Sequence, residues 1–326
     1  MINKKILSIG IPVYNQGEYL KRTIDSVLNQ KINADEIVVS NNWSTDSTKI
    51  VAEAFGDRIK LITPPKYLPR TEHWNFLVSN LKSEWFSLLS GDDEAKPNFV
   101  KTIKQGIKKS PSAVLVRGGA ESIDKDGNVL NSNYMLSVKE ITHPPQTFYE
   151  QLANPKTNFA AFALRKSVWE SVNGFPVSLK VNGDWGMWLK ASLHGDFIYQ
   201  HNIISRYRTG YRPNLKNENL INELKDDLTM YNKIFPDILQ KISNPNSKKV
   251  QRAIKNRFIR RLEWLEKVDD TILKNTAYEL VEPWAIKYVG KNILQRIKNG
   301  EIISQPLWFQ LIKAKVRILY QWIRSF

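Results

Sequence analysis

The stretch ILSIGIPVYNQGEYLKRTIDSVL, residues 6–28, decides the expected fold. Its apolar run over 6–13 predicts a mostly buried strand that ends at a turn. The segment after the turn has Leu20, Ile24 and Val27 on one face, which predicts a helix. Asn15 and Glu18 are three residues apart, the spacing of a capping box at its start. A strand that runs through a turn into an amphipathic helix is the unit of an α/β sheet.

The same unit recurs along the first 100 residues. Further strands are predicted at 36–40, 59–63 and 85–89. One helix follows Asp46, a candidate N-cap, and another spans about 73–81. This alternation predicts an α/β fold with a mostly parallel sheet sandwiched by helices.

Polar residues cluster where three of these strands end. In parallel sheets, ligands bind beyond the carboxyl ends of the strands. Three polar segments come at that edge, and we expect them to form one site. They are residues 12–18, 40–46 and 90–94.

Beyond residue 100 the pattern changes twice. Residues 101–213 mix strand and helix signals, with a helix expected near 165–172 and another from Asp184. After Pro213 the segments are long, basic and helical in pattern. We therefore expect a division into residues 1–100, 101–213 and a basic helical C-terminal extension over 214–326.

Composition narrows the function classes. The chain has 326 residues, no cysteine, and 48 Lys and Arg against 32 Asp and Glu, for a net charge of +16. The lack of cysteine excludes a disulfide scaffold, a thiolate zinc site and a cysteine nucleophile. The positive charge favours a polyanionic partner, either nucleic acid or an anionic membrane surface. No signal peptide and no apolar stretch of 18 residues is visible, so a cytoplasmic address is expected.

The last segment, Leu307 to Phe326, has the clearest helical periodicity of the basic extension. Its apolar face and its Lys and Arg residues are typical of a helix that lies on an anionic membrane at the cytosolic side. The same face would also suit packing against the rest of the chain or against a second copy in a homodimer. The pattern leaves these alternatives open.

Asp92 and Asp93 follow an apolar strand, where two adjacent carboxylates repel each other. A divalent cation placed between them and an anion would make the arrangement favourable, and oxygen ligands select Mg²⁺ or Mn²⁺. The pair therefore predicts a metal–diphosphate site. The alternative is a solvated turn in which Asp93 caps the next helix.

Three motifs in this order resemble family 2 glycosyltransferases of the GT-A fold. The family's first turn corresponds to Pro12-Val13-Tyr14-Asn15 with Glu18, and its second loop to Asn41-Asn42-Trp43-Ser44-Thr45-Asp46. Its metal motif corresponds to Ser90-Gly91-Asp92-Asp93. Asp184-Trp185-Gly186-Met187-Trp188-Leu189 and Arg206-Tyr207-Arg208 continue the resemblance, which covers about residues 5 to 210.

The resemblance implies an inverting, metal-dependent transfer of a sugar from a nucleotide-diphosphate donor, expected to be a UDP-sugar. The acceptor would be a glycan or lipid-linked glycan in surface polysaccharide synthesis, and the metal Mn²⁺ or Mg²⁺. Asp184 would be the catalytic base, although by position alone it is a helix N-cap. Trp185 and Arg208 are candidates for acceptor or phosphate contacts. The nucleotide-binding residues would be Pro12, Tyr14, Asn15, Glu18, Asn41, Asn42 and Asp92, and the metal ligands Asp92 and Asp93.

The sequence departs from the family pattern at several positions. Asn41 and Asn42 replace two acids of the uracil-contacting loop, Ser90 replaces the first metal-motif Asp, and Gly183 replaces a Glu. An amide both accepts and donates, so base recognition is retained in principle. Two other readings compete with an active enzyme: a catalytically silent assembly subunit, and a basic nucleic-acid-binding protein. The acids at the strand ends would repel nucleic-acid phosphates, so nucleic acid is not the expected partner.

Overall fold

The computed structural model describes residues 5–133, 138–152, 154–209 and 215–301. The chain divides into two compact units near residue 214. The first unit contains residues up to 214, apart from 136–138 and 152–154. Those two short stretches group with residues 215–326 in the second unit.

The first unit is built on one mixed sheet. Four parallel strands stand in the order β3-β2-β1-β4, and β9 joins β4 antiparallel. The longest parallel pair, β6 with β10, lies beyond β9. The strands are β1 (Leu7–Val13), β2 (Glu36–Asn41), β3 (Lys60–Ile62), β4 (Trp85–Leu88), β5 (Glu94–Ala95), β6 (Ala113–Ile123), β7 (Val129–Asn133), β8 (Ile141–Thr142), β9 (Phe162–Arg165) and β10 (Asp196–Arg208).

Helices cover both faces of this sheet. Apolar residues of α1 and α4 pack on one face, and those of α3, α6 and α7 pack on the other. Successive side chains of β2 point to opposite faces of the sheet: Val39 belongs to the apolar core on the side of α1 and α4, and Val38 to the core on the side of α3, α6 and α7. The helices are α1 (Gly17–Leu28), α2 (Thr48–Glu53), α3 (Arg70–Ser79), α4 (Phe99–Ile107), α5 (Gln146–Gln151), α6 (Lys166–Ser171) and α7 (Gly183–Ala191).

The start of α1 differs from the predicted capping box. Gln16 is the N-cap residue, and its own side chain makes no capping hydrogen bond. Asn15 instead has a positive φ of 52°, a conformation that asparagine tolerates better than most residues, and its side chain bonds to another loop. The prediction failed because the Asn-x-x-Glu spacing does not specify which residue leaves the helical conformation.

The second unit is helical, as expected for the basic extension. Backbone hydrogen bonding changes to a π turn over Met230–Ile234. The segment Leu307 to Phe326 lies outside the described residues, so its membrane or packing role stays a prediction. The helices are α8 (Leu215–Thr229), α9 (Phe235–Leu239), α10 (Ser247–Leu265), α11 (Thr271–Tyr288) and α12 (Lys291–Lys298).

A buried ion cluster joins α8 to α10. Arg257 donates to both carboxylate oxygens of Asp227, at 2.9 Å from Nε and 2.7 Å from Nη2. Arg261 Nε donates to the same Asp227 at 3.0 Å, and its Nη1 pairs with Glu223 at 2.6 Å. Asp227 and Arg257 are both buried, so each charge depends on the other for compensation.

No helix within the described residues is long and apolar enough to cross a membrane.

Removal of Arg257 tests how much the buried ion cluster between α8 and α10 contributes to stability. Arg257→Ala leaves the buried Asp227 with Arg261 as its remaining charged partner, and should lower the free energy of unfolding of the helical unit by about 1 to 3 kcal/mol. Hydrogen exchange of the α10 amides measures this. The control is Arg252→Ala on the exposed side of the same helix, expected to change the value by less than about 0.5 kcal/mol. Equal effects of the two substitutions would contradict the prediction.

Candidate active site

The carboxyl ends of β2, β1 and β4 form one edge of the sheet. Val13 at the end of β1 is in register with Asn41 at the end of β2. The turn Ser90–Asp93, which follows β4, packs against the end of β1. A Cβ at Gly91 would lie 2.4 Å from Val13 Cγ1 and 2.9 Å from Gln16 Oε1, so this approach needs a glycine. The turn thus lies beside the start of α1.

Two tyrosines stand exposed at this edge. Tyr14 follows β1 and is 44% exposed, and Tyr67 lies between β3 and α3 and is 52% exposed. Their rings meet edge to face with centroids 5.2 Å apart. Tyr14 was predicted, whereas Tyr67 was not, because nothing in the spacing after Pro64-Pro65 indicates where that segment folds back.

The predicted residues around Tyr14 have different surroundings. Pro12 is buried within β1, while Asn15 and Glu18 are exposed. Asn15 Oδ1 accepts from the amide of Thr45 at 2.8 Å, and the amide of Asn15 donates to Ser44 Oγ at 3.0 Å. Asn15 therefore fixes the loop after β2 to the loop after β1.

Asp46 strengthens that link between the two loops. One carboxylate oxygen accepts from the amide of Gly17 at 3.0 Å, and the other accepts from the amide of Thr48 at 2.9 Å. These hydrogen bonds hold the pKa of Asp46 below its usual value despite partial burial. Asp46 thus braces the starts of α1 and α2 together.

Both asparagines at the end of β2 are buried and hydrogen-bonded to backbone. Asn41 Oδ1 accepts from the amide of Ser44 at 3.1 Å. Asn42 uses both ends of its amide on Leu68: Nδ2 donates to the carbonyl at 2.8 Å, and Oδ1 accepts from the amide at 3.0 Å. Asn42 therefore holds the segment that carries Tyr67.

Below this segment, Ser40 and His73 form a buried pair, with Ser40 Oγ 2.8 Å from His73 Nε2. Burial lowers the pKa of His73 to about 4. The imidazole is therefore neutral near pH 7 and joins α3 to the end of β2. No role was predicted for His73 from the sequence, and the structure shows that it connects α3 to Ser40 of β2.

The two acids of the Ser90–Asp93 turn face different surroundings. Asp92 is partly exposed, whereas Asp93 is buried and its Oδ1 accepts from the amide of Arg208 at 2.9 Å. Burial, and then the charge of Asp92, raise the pKa of Asp93 well above its usual value. Asp93 does not cap the following helix either, because the N-cap residue of α4 is Asn98.

Trp185 and Arg208 are placed inside the fold. Trp185 is fully buried and its Nε1 donates to the carbonyl of Gln151 at 2.7 Å. The Arg208 side chain has no exposed surface and pairs with Glu94 at 2.9 Å. Neither side chain is available to an acceptor or a phosphate in this structure, so the expected contacts need correction. Their spacing in the motif could not show that both point inward.

Asp184 lies in the first turn of α7, and the N-cap residue is Asn182, so the capping interpretation is wrong. Asp184 Oδ1 accepts from the amide of Trp185 at 2.7 Å. Burial raises the pKa of Asp184 to about 6, against the lowering effects of that hydrogen bond and of the charge of Arg70. Arg70, exposed at the start of α3, is close enough to lower the pKa of Asp184 by its charge, and the sequence did not indicate this proximity.

A series of contacts connects Asp92 with Asp184. The turn that carries Asp92 packs on the end of β1, and Tyr14 beyond β1 contacts Tyr67. The Tyr67 segment leads directly into Arg70 and α3. The first turn of α3 touches the start of α7, because a Cβ at Gly183 would lie 3.0 Å from Thr71 Oγ1. These contacts form a path along the chain from the turn of Asp92, through Tyr67 and α3, to the start of α7.

The donor set at this edge fits one kind of metal site. No three His, Asp or Glu side chains of the described ranges come together as a preformed metal cage. Mg²⁺ and Mn²⁺ often use only one or two carboxylates and take their other ligands from water and substrate phosphates. Asp92 alone fits an ion of that kind, arriving with a diphosphate. The inward position of Asp93 does not fit the expected second ligand.

Comparison with known proteins shows which family and which proteins this chain is similar to. The pattern of the family described as "Glycosyl transferase family 2" matches residues 8–170, half of the chain. A chondroitin synthase of Pasteurella multocida is 25% identical over 83% of this chain and 27% of its own length. An uncharacterized glycosyltransferase of Rickettsia prowazekii is 28% identical over 64% of this chain and 65% of its own length. The chain thus spans less than two thirds of these relatives.

Solved structures share the fold. Residues 1–349 of S. aureus TarS, crystallised with UDP-GlcNAc, match with a TM-score of 0.55 and 14% identity over 91% of this chain and 92% of that one. A mannosyltransferase from Pyrobaculum calidifontis, in complex with GDP-Man and Mn²⁺, matches with a TM-score of 0.54 and 12% identity over 91% and 87%. The expected GT-A architecture, a mostly parallel sheet flanked by helices, is confirmed.

The different surroundings of the two acids predict different effects on stability. Asp93→Ala removes the buried acceptor of the Arg208 amide and should lower the free energy of unfolding of the first unit by about 1 to 3 kcal/mol. Asp92→Ala, at a partly exposed position, should change it by less than about 0.5 kcal/mol. Urea denaturation of both variants measures the difference. A larger loss for Asp92→Ala than for Asp93→Ala would refute this placement.

Proposed function

The chain belongs to glycosyl transferase family 2, and from that premise we propose that it transfers a sugar from a nucleotide-diphosphate donor, a UDP-sugar, to a glycan or lipid-linked glycan acceptor. The reaction would serve the synthesis of surface polysaccharides. The observation that supports the proposal is the edge formed by the ends of β1, β2 and β4, where Tyr14 is exposed and Asp92 is partly exposed. Contacts through Tyr67 and α3 link this edge to Asp184. A solved relative of the same fold was crystallised with UDP-GlcNAc, which supports the choice of donor class.

The donor would lie along the strand ends, from β2 towards β4. Its base would pack on Tyr14, next to Tyr67. Asn15, Glu18 and Pro12 at the end of β1 would line the rest of the pocket. Aromatic stacking suits any base, since each base has a π face. Base contact from Asn41 would come from Nδ2, because Oδ1 already accepts from Ser44.

The diphosphate would lie next to Asp92. A bound Mn²⁺ or Mg²⁺ supplies charge neutralisation to a leaving nucleoside diphosphate, acting as a Lewis acid. Asp92 would hold that ion, and Asp93 would support the turn from inside. A solved structure of the same fold is in complex with GDP-Man and Mn²⁺, which supports a divalent ion here.

Asp184 would take the proton from the acceptor hydroxyl. The acceptor oxygen forms a bond to the anomeric carbon as the bond from that carbon to the diphosphate oxygen breaks. Attack opposite the leaving group inverts the anomeric centre. A pKa of about 6 leaves Asp184 mostly ionised at pH 7 and still basic enough to accept a proton.

A thermal-shift panel tests donor binding. UDP with Mn²⁺ should raise the melting temperature, because a ligand at 100 times its Kd adds about 2.7 kcal/mol of stability. The shift should fall when EDTA removes the metal, and in Asp92→Ala. GDP, CDP and ADP form the comparison set. No shift with any nucleoside diphosphate would contradict the proposal.

The pH dependence of transfer tests the role of Asp184. As the pH falls through about 6, Asp184 becomes protonated and loses its ability to accept a proton, so kcat/KM should fall about tenfold per pH unit below that value. Asp184→Asn should lower kcat by about 10² to 10⁴ while UDP binding is kept. Asp57→Asn, at an exposed position of the same unit, is the control. An acid limb near pH 4 would argue against Asp184 as the base.

A further inference from the structure

We propose that Arg208 is a positioning residue that acts through the backbone of the Ser90–Asp93 turn and fixes Asp92 for metal binding. This inference deepens the proposed function and rests on it. It gives Arg208 a task different from the phosphate contact expected from its motif. Because the Arg208 side chain is buried, it can affect a bound ligand only through the residues that it contacts.

Arg208 bonds to three consecutive residues at the end of the turn. Its Nε donates to the carbonyl of Asp92 at 3.0 Å, and its own amide donates to Asp93 Oδ1 at 2.9 Å. Its Nη2 donates to Glu94 Oε1 at 2.9 Å. One residue thus holds a backbone oxygen and two carboxylates of a run of three acids.

The other side of Arg208 is anchored away from the turn. Its Nη1 donates to the carbonyls of Asp124 and Lys125, at 2.6 and 2.9 Å. Its guanidinium carbon lies 4.6 Å from the centre of the Tyr19 ring in α1. The side chain is fully buried between these groups. The turn is therefore tied through Arg208 to the segment after β6 and to α1.

This arrangement decides which acid of the pair stays near solvent. Asp93 is buried with its oxygen on the Arg208 amide, so Asp92 remains the partly exposed acid. The positive charge of Arg208 also offsets the repulsion among Asp92, Asp93 and Glu94. Without the guanidinium, the acidic residues 92–94 would repel one another more strongly, and the carbonyl of Asp92 would lose its hydrogen bond from Arg208.

The planar guanidinium of Arg208 makes this set of contacts possible. It donates in several fixed directions at once, which a lysine ammonium does not reproduce. Groups that orient a metal ligand typically contribute 10- to 100-fold to metal affinity. Replacement of Arg208 by Lys keeps the charge and the backbone amide bond to Asp93 and removes the guanidinium contacts, so it isolates the role of the side chain.

The test compares Arg208→Lys with Arg117→Lys. Arg117 is an equally buried arginine of the same unit, paired with Glu150 at 2.7 Å and making no contact with the turn in the described structure. Calorimetry measures UDP affinity with and without Mn²⁺, and thermal unfolding measures stability. Arg208→Lys should reduce the gain in UDP affinity caused by Mn²⁺ by about 10- to 100-fold. UDP affinity without metal should stay within about twofold, and Arg117→Lys should keep the full gain.

A second variant covers the case in which Arg208→Lys does not fold. Tyr19→Leu removes the ring beneath the guanidinium and leaves the acids intact. Because this cation–π contact is buried, its loss should reduce the Mn²⁺ gain by more than about fivefold and by up to about 30-fold. A wild-type gain retained in both Arg208→Lys and Tyr19→Leu would overturn the positioning role, as would an equal loss in Arg117→Lys. UDP binding by the wild type with no Mn²⁺ gain would instead overturn the metal site itself, and the inference with it.

Discussion

Parallel pairing of β2, β1 and β4 is the constraint on which the site depends. It brings to one edge three chain segments that are about 30 to 80 residues apart, because the carboxyl ends of parallel strands lie together. Gly91 then allows the turn after β4 to approach the end of β1 closely. Hydrogen bonds from Asn15 and Asp46 fix the first two loops to each other. The edge is therefore organised before any ligand is present.

The charged residues of this edge differ in how far they are buried, and this difference decides their roles. Arg208 offsets the charge of Glu94, and the buried Asp93 accepts a hydrogen bond from the Arg208 amide. Asp92 and Arg70 remain nearer to solvent, where a diphosphate and its cation would need them. Asp184 is partly exposed as well, and desolvation by its surroundings raises its pKa to about 6. The same residue types thus serve structure or chemistry according to how much water reaches them.

The fold could be predicted from the sequence because its signals are local. Apolar runs such as 6–13 and 85–89 give strands, and the facing apolar residues of 20–28 give a helix. Residues such as Tyr14 and Asp92 were identified through motif order. The inward side chains of Trp185, Arg208 and Asp93 were not predictable, since their orientation is set by partners up to 116 residues away. Tyr67 and Arg70 were missed for the same reason, because only tertiary contacts bring their segment to the edge.

A crystal structure of the chain with UDP and Mn²⁺ would show whether the ends of β1 and β4 bind the donor. In that complex the base should pack on Tyr14, and Asp92 should hold the ion next to the diphosphate. Asp93 should keep its bond to the Arg208 amide, and Asp184 should face the open side of the bound nucleotide. An ion held by Asp93 in place of Asp92, or a nucleotide bound away from the ends of β1 and β4, would contradict the proposed donor site.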